Sequence, residues 1–241
     1  MQIYGKSDVG MVRTCNQDAF CVLELPNDAA LSILCDGMGG AKAGNIASQI
    51  ATDTIKDYVT KSYSPQMTSL SIENLLRGAI DTANIEVYDK ANSSEDYVGM
   101  GTTVVLVLVK DGIAHISHIG DSRAYLITSD SIEQITRDHS IIQDMIDSGQ
   151  ITEQEAKTHP KKNIITRAVG ILPQIDSEYN QVELNGGILL SCTDGLSGML
   201  SAEQIKEITL VNKLDEVPDK LIVAANDLQS NDNVTVTVVA E

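Results

Sequence analysis

The apolar positions of this chain change their period along its length, and each change marks an element. Residues 2–36 carry short strand-like runs. Ala19 to Leu25 and Leu31 to Cys35 stand on either side of Pro26-Asn27-Asp28, which predicts a hairpin. Two longer segments then repeat their apolar residues every three or four positions. In 43–61 the stripe is Ile46, Ile50, Ala51, Ile55, Tyr58 and Val59; in 72–91 it is Ile72, Leu75, Leu76, Ala79, Ile80, Ala83 and Val87. Stripes of that period predict amphipathic helices wide enough to cover a sheet face. Strand-like runs resume at Thr102 to Val109 and Ile113 to Ile119 around Lys110-Asp111-Gly112, and Asp-Gly between such runs is a hairpin signal. Ala124 to Thr128 and Ile132 to Thr136 predict another hairpin. Residues 139–168 are polar and expected to be mostly helical, with Thr152-x-x-Glu155 as a capping box. Strands are expected over 178–192, helices after Ser201-x-x-Gln204 and over 216–229, and a closing strand over 233–239.

Strands and helix pairs come in blocks, without regular βαβ alternation. The expected fold is therefore α+β, with stacked antiparallel sheets flanked by helices rather than a doubly wound parallel sheet. No repeat, low-complexity tract or linker breaks the chain, so a single domain is expected over 1–241.

Composition narrows the chemistry. Aromatic residues make up 3% of a chain that is 42% hydrophobic, so its core must be aliphatic. The net charge of −17 opposes binding to nucleic acid or anionic membranes, and most of the excess reads as a solubilising surface. Cys15, Cys21, Cys35 and Cys192 form no CxxC pair and are expected as buried thiols. The N-terminal residues lack a signal peptide's basic start and apolar core, and no apolar run approaches the ~20 residues that span a bilayer. A cytoplasmic location is expected.

Four aspartates sit where an apolar run meets a turn: Asp36, Asp121 and Asp194 after such runs, and Asp232 before one. If those strands pair antiparallel, all four carboxylates converge on one edge of a sheet. Clustered carboxylates repel unless a cation holds them, and hard divalent ions prefer oxygen ligands. A multi-metal site is the leading idea, and such sites commonly perform phosphate chemistry. In Asp36-Gly37-Met38-Gly39-Gly40 the glycines let the backbone approach, so the Gly37 carbonyl is a further candidate ligand; a plain glycine turn into the next helix is the alternative. The spacing fits neither a dinucleotide fingerprint nor a P-loop. Arg13 lies upstream of Asp18. Its guanidinium suits phosphate, and an ordinary surface ion pair explains it equally well.

Taken in order, these motifs resemble the metal-dependent Ser/Thr protein phosphatases of the type 2C (PPM) family in their compact bacterial form. The matching stretches are Asp8-x-Gly10-x-x-Arg13-x-x-Asn16-Gln17-Asp18, Asp36-Gly37-Met38-Gly39-Gly40 with Ala43-Gly44 and Ala47-Ser48, Gly101-Thr102-Thr103, Gly120-Asp121-Ser122-Arg123, Thr136-x-Asp138-His139-Ser140, Thr166-Arg167-Ala168-x-Gly170, Thr193-Asp194-Gly195-Leu196 and Asp232-Asn233-Val234-Thr235. Each alone is weak; their order over nearly the whole chain is specific.

The resemblance implies a central sandwich of two antiparallel sheets between helix pairs, four layers in all. It implies Asp36, Asp194 and Asp232 as ligands of two core Mn²⁺ or Mg²⁺ ions, the Gly37 carbonyl with Asp36 at the second ion, and Asp18 acting through water. Asp121 with Asp194 would hold a weaker third ion, Arg13 would grip the phosphate, and 139–168 would form a flap beside the site. The implied reaction is hydrolysis of phosphoserine and phosphothreonine on proteins, with water between the ions attacking phosphorus in line. The implied partners are phosphorylated proteins, among them a Ser/Thr kinase that the enzyme opposes, and the chain is expected to be a monomer. Gln17 stands where many members have Glu, Asn45 replaces a usual Glu, and Met38 stands where animal members carry a His. Met38 cannot protonate a leaving group, which leaves a metal-bound water as the candidate acid. The four histidines read as structural, with His115 and His118 on opposite faces of one strand. Lys157, Lys161, Lys162 and Arg167 form a basic cluster that either attracts phosphorylated substrates or is simply solvated. Two rival readings are a pseudophosphatase that binds phosphoproteins and a hydrolase of small phosphate esters.

Overall fold

The uninterrupted run Val104 to Val109 shows how this chain makes layers. In the computed structural model, which describes residues 1–156 and 158–241 and all their side chains except those of 40–42, the run is a strand buried on both faces. Val105, Val107 and Val109 point into one apolar cluster, and Val104, Leu106 and Leu108 into another. The period-2 alternation of a strand places successive side chains on opposite faces, so a strand covered on both sides has no polar face to show.

The elements are β1 (Gln2–Asp8), β2 (Asp18–Leu25), β3 (Ala29–Met38), α1 (Gly40–Ser62), α2 (Ser69–Ala91), β4 (Gly101–Thr102), β5 (Val104–Lys110), β6 (Ile113–Ile119), β7 (Arg123–Ile127), β8 (Ile132–Gln134), α3 (Ile141–Asp147), α4 (Glu153–Ala156), β9 (Glu178–Glu183), β10 (Ile188–Cys192), α5 (Asp194–Ser197), α6 (Ala202–Val211), α7 (Val217–Asp227) and β11 (Val234–Ala240). One sheet runs β1-β11-β10-β7-β8 and the other β2-β3-β5-β6-β9, with β4 paired to β3. Every pairing is antiparallel. Leu34, Val105, Val107 and Ile116 of one sheet meet Ala124, Leu126, Leu189 and Val239 of the other in the sandwich interior. Outside the second sheet lie α1 and α2, through Ala47, Ile55, Leu76 and Ile80. Outside the first lie α6 and α7, through Ile205, Leu221 and Ala225. The expected four-layer α+β sandwich is what the chain forms.

Local signals account for most boundaries. Asp111 and Gly112 take φ 51 and 75, the left-handed pair that a two-residue hairpin turn requires. Ser201 and Gln204 form the expected capping box at the start of α6. Residues 139–168 correct the sequence reading. They are not mostly helical, since among the described residues they hold only the short α3 and α4. Gly149, at φ 70, follows α3, and Pro160 has no N–H to continue a helix beyond α4. The return arm pairs instead: Ile141 N–H donates to Ile164 O and Thr166 N–H to His139 O. Cys35 and Cys192 are buried as expected, but Cys15 is exposed, and all four thiols are free. Among the described residues no helix is long and apolar enough to cross a membrane.

Candidate metal centre

The ends of strands from both sheets meet at one end of the sandwich. Asp18 opens β2 directly opposite Asp36 near the end of β3. Asp121 follows β6, Asp194 follows β10, and Asp232 precedes β11, the partner of β10. The expectation of a single sheet edge is thereby corrected. Asp18, Asp36 and Asp121 belong to one sheet, Asp194 and Asp232 to the other, and the carboxylates face each other across the sandwich. The reason is topological: β6 leads into β7, which has crossed to the other sheet, so the first three aspartates stand on one sheet and the last two on the other.

Electrostatics registers the convergence. Burial raises the Asp36 carboxyl well above its usual range, and Asp18, Asp194, Asp121 and Asp232 add to the rise. Asp18 is pushed up to about 7 by burial, against hydrogen bonds from Thr235 and Thr193, with Asp194 and Asp232 contributing. Asp121 reaches about 7, by burial first and then by Asp194 and Asp138. Asp194 is raised by burial and Asp232, and a hydrogen bond shared with Asp36 works in the opposite sense. Two carboxyls can share such a bond only by holding a proton between them. Asp194 Oδ1 is buried without a partner.

The surrounding chain fixes these groups. Thr235 Oγ1 and Thr193 Oγ1 donate to Asp18 Oδ2 at 2.6 and 3.1 Å, tying one sheet's carboxylate to the other sheet's hydroxyls. Asn233 accepts from Gln17 N–H and donates to Val9 O and Cys15 O, which pins the 9–17 loop against β11. In that loop Arg13 Nη2 donates to Asp232 Oδ2 at 2.8 Å. Its partner is thus Asp232 rather than Asp18, and the guanidinium stays about half exposed. Gly37 and Gly44 explain the glycine motif. A Cβ on Gly37 would stand 2.0 Å from Gly44 O, so α1 begins in direct backbone contact with β3. A hollow of ≈ 380 Å³ beside Asp18 is lined by Asn16, Asn45 and Gln49.

His118, His139 and Glu178 form a second group that sequence spacing did not reveal, with one ligand atom from each within 4.8 Å of the others. The spacing would admit a metal ion, but the hydrogen bonds already use most of the nitrogens. Gly120 N–H donates to His139 Nδ1, and His139 Nε2 faces Glu178 Oε1 at 3.0 Å. His118 Nε2 lies 2.8 Å from Arg137 O. The two rings stack at 4.8 Å and 15°, so their in-plane lone pairs run side by side instead of meeting. His115 faces the other way, to Tyr179 OH, as its strand position predicted. Of the basic cluster, Arg167 pairs with Glu178, Lys161 and Lys162 are exposed, and Lys157 lies outside the described residues.

The sequence profile described as "Protein phosphatase 2C" matches residues 11–225. The chain is 34% identical over 236 residues to the serine/threonine phosphatase Stp of Listeria monocytogenes, spanning 97% of this chain and 93% of that one. It is 35% identical over 243 residues to protein phosphatase PhpP of Streptococcus pneumoniae, spanning 100% and 97%. The crystal structure of serine/threonine phosphatase Stp1 from Staphylococcus aureus superposes with a TM-score of 0.93 at 37% identity, over 100% of this chain and 94% of that one.

Proposed function

Because the chain belongs to the protein phosphatase 2C family, it is a metal-dependent protein-serine/threonine phosphatase, and we propose that the aspartate cluster at the sandwich end is its active site. The observation that carries this reading is the convergence of carboxyl groups from strand ends of both sheets, with Asp36 directly opposite Asp18 and Asp194 Oδ1 buried and unpartnered. Negative groups so packed need protons or cations, and an all-oxygen set fits hard divalent ions such as Mn²⁺ or Mg²⁺. In this reading Asp36, Asp194 and Asp232 hold two core ions, the Gly37 carbonyl serves the second, and Asp18 acts through water. Asp121 with Asp194 holds a weaker third. When bound, such ions acidify water for in-line attack on phosphorus and neutralise the phosphoryl oxygens.

The chain's own residues do the positioning. Thr193 and Thr235 both bond Asp18 Oδ2, which orients the carboxylate. Arg13 rides on a loop pinned by Asn233, and its fork can leave Asp232 for two oxygens of a phosphate. Asp232 is then free for a cation. The substrates are phosphorylated proteins carrying phosphoserine or phosphothreonine, including those made by an opposing Ser/Thr kinase. The reading includes a cytoplasmic monomer, and the net charge of −17 supports the absence of affinity for nucleic acid or anionic membranes. One catalytic domain spans 1–241, with 139–168 as the flap.

Bound Mn²⁺ counted by electron paramagnetic resonance tests the assignment in the wild type and in Asp36→Asn, Asp194→Asn and Asp232→Asn. Each variant should lose at least one tightly bound ion while remaining folded. Wild-type stoichiometry in Asp194→Asn would remove the cluster from consideration.

A further inference from the structure

Gly120, at φ 106, turns the chain from β6 towards Asp121, and a Cβ there would meet Thr103 Cγ2 at 2.5 Å. The turn is held from two sides. On one, Ser122 Oγ and Thr103 Oγ1 are 2.7 Å apart. Thr103 in turn exchanges hydrogen bonds with Asp36, donating its N–H to Asp36 O at 2.8 Å and accepting Asp36 N–H at Oγ1 at 3.0 Å. On the other side stands His139. Its N–H donates to Gly120 O at 2.9 Å, and its Nδ1 accepts Gly120 N–H at 3.1 Å.

That second contact settles the tautomer. A backbone amide can only donate, so Nδ1 carries no proton and the hydrogen sits on Nε2. Glu178 Oε1, 3.0 Å away, accepts it, and Arg167 Nη1 donates to the same oxygen at 3.2 Å. His118 covers the ring face and is itself neutral: its Nε2–H donates to Arg137 O, and its Nδ1 is buried without a partner. Burial lowers the pKa of both rings, in keeping with two neutral imidazoles.

We propose that His139 is a positioning residue that clasps the Gly120–Asp121 turn and so sets where the Asp121 carboxylate stands, with Glu178 selecting the tautomer that makes the clasp possible. The inference rests on the assignment of Asp121 to the metal centre. The clasp grips the backbone of the residue immediately before Asp121, through both its N–H and its carbonyl, so it bears directly on where that carboxylate stands. The same histidine receives the returning arm of 139–168, since Thr166 N–H donates to His139 O at 2.8 Å and Arg167 reaches Glu178. The arm and the Asp121 turn thus share one anchor in His139.

Mn²⁺ binding, followed by electron paramagnetic resonance without substrate, tests this in the wild type, Asp121→Asn, His139→Ala and His139→Asn. Wild type should show tight sites and a weaker one that Asp121→Asn abolishes. His139→Ala should weaken that last site about 10-fold or more, the range typical when a ligand's supporting partner is removed, with the tight sites unchanged. His139→Asn, whose Oδ1 can accept Gly120 N–H, should restore most of the affinity. If Asp121→Asn loses the weak ion but His139→Ala binds it normally, the clasp is refuted and the metal assignment stands. A weak site unaffected by Asp121→Asn refutes the metal assignment itself. Should His139→Ala fail to fold, Glu178→Ala gives the same comparison, and unchanged weak-site affinity there counts against the clasp.

Discussion

Asp18→Asn isolates the electrostatic cost that the carboxylate cluster imposes on the metal-free protein. The substitution conserves shape, and an amide oxygen can accept the two hydroxyls, Thr235 Oγ1 and Thr193 Oγ1, that now donate to Asp18 Oδ2. What it removes is a carboxyl whose pKa stands at about 7 instead of 3.8, through burial first and then the charges of Asp194 and Asp232. The unfolded chain releases this proton near pH 4 and the native chain only near 7. Across that window the native state binds more protons, so its stability falls as pH rises and the loss is complete above about 7. A rise of that size corresponds to ~4 kcal/mol. The residue keeps some contact with water, which screens part of the effect and brings the expected gain to on the order of 2–4 kcal/mol. Urea unfolding in chelator should therefore find Asp18→Asn more stable than wild type by that amount at pH 8, with the difference shrinking towards zero near pH 4. With saturating Mn²⁺ the order should reverse, because the ions stabilise whichever form binds them more tightly. Equal stabilities at pH 8, or a gain that persists at pH 4, would refute the reasoning.

Arg13→Ala should lower kcat/KM for a phosphothreonine peptide by about 10–100-fold, the worth of a charge-assisted contact to phosphate. It should barely move the urea midpoint, since the Arg13–Asp232 pair is largely exposed. Gly44→Ala would bring a Cβ to 2.5 Å from Gly37 O, so α1 must shift away from the end of β3. The expected cost is about 1–3 kcal/mol by urea unfolding, with weakened Mn²⁺ binding as a second readout.

How much of this was legible in the sequence depended on the range of the interaction. Hairpins set by Pro26-Asn27-Asp28 and Asp111-Gly112 are local events, and both formed where turn chemistry placed them. The helix stripes were equally clear, because a 3.6-residue period survives whatever packs against it. The aspartates could be picked out one by one, since each stands where a strand meets a turn. Their distribution over two sheets could not, because that depends on where β7, β10 and β11 cross, which no local pattern encodes. The 139–168 segment misled for a related reason. Its polar residues and capping box favour helix, but Ile164 and Thr166 satisfy their backbone groups by pairing with Ile141 and His139. The clasp of His139, Glu178 and Gly120 was hidden too. His139 lay within a matching motif, yet its partners Gly120 and Glu178 are 19 and 39 residues away along the chain, at spacings no periodicity links.

The central claim is tested most directly by phosphate release from a phosphothreonine peptide, measured first with Mn²⁺ and then with excess chelator. The account predicts release that requires the ion, stops on chelation and returns when Mn²⁺ is restored. Folded protein that releases no phosphate with Mn²⁺, or releases it equally in chelator, would contradict it.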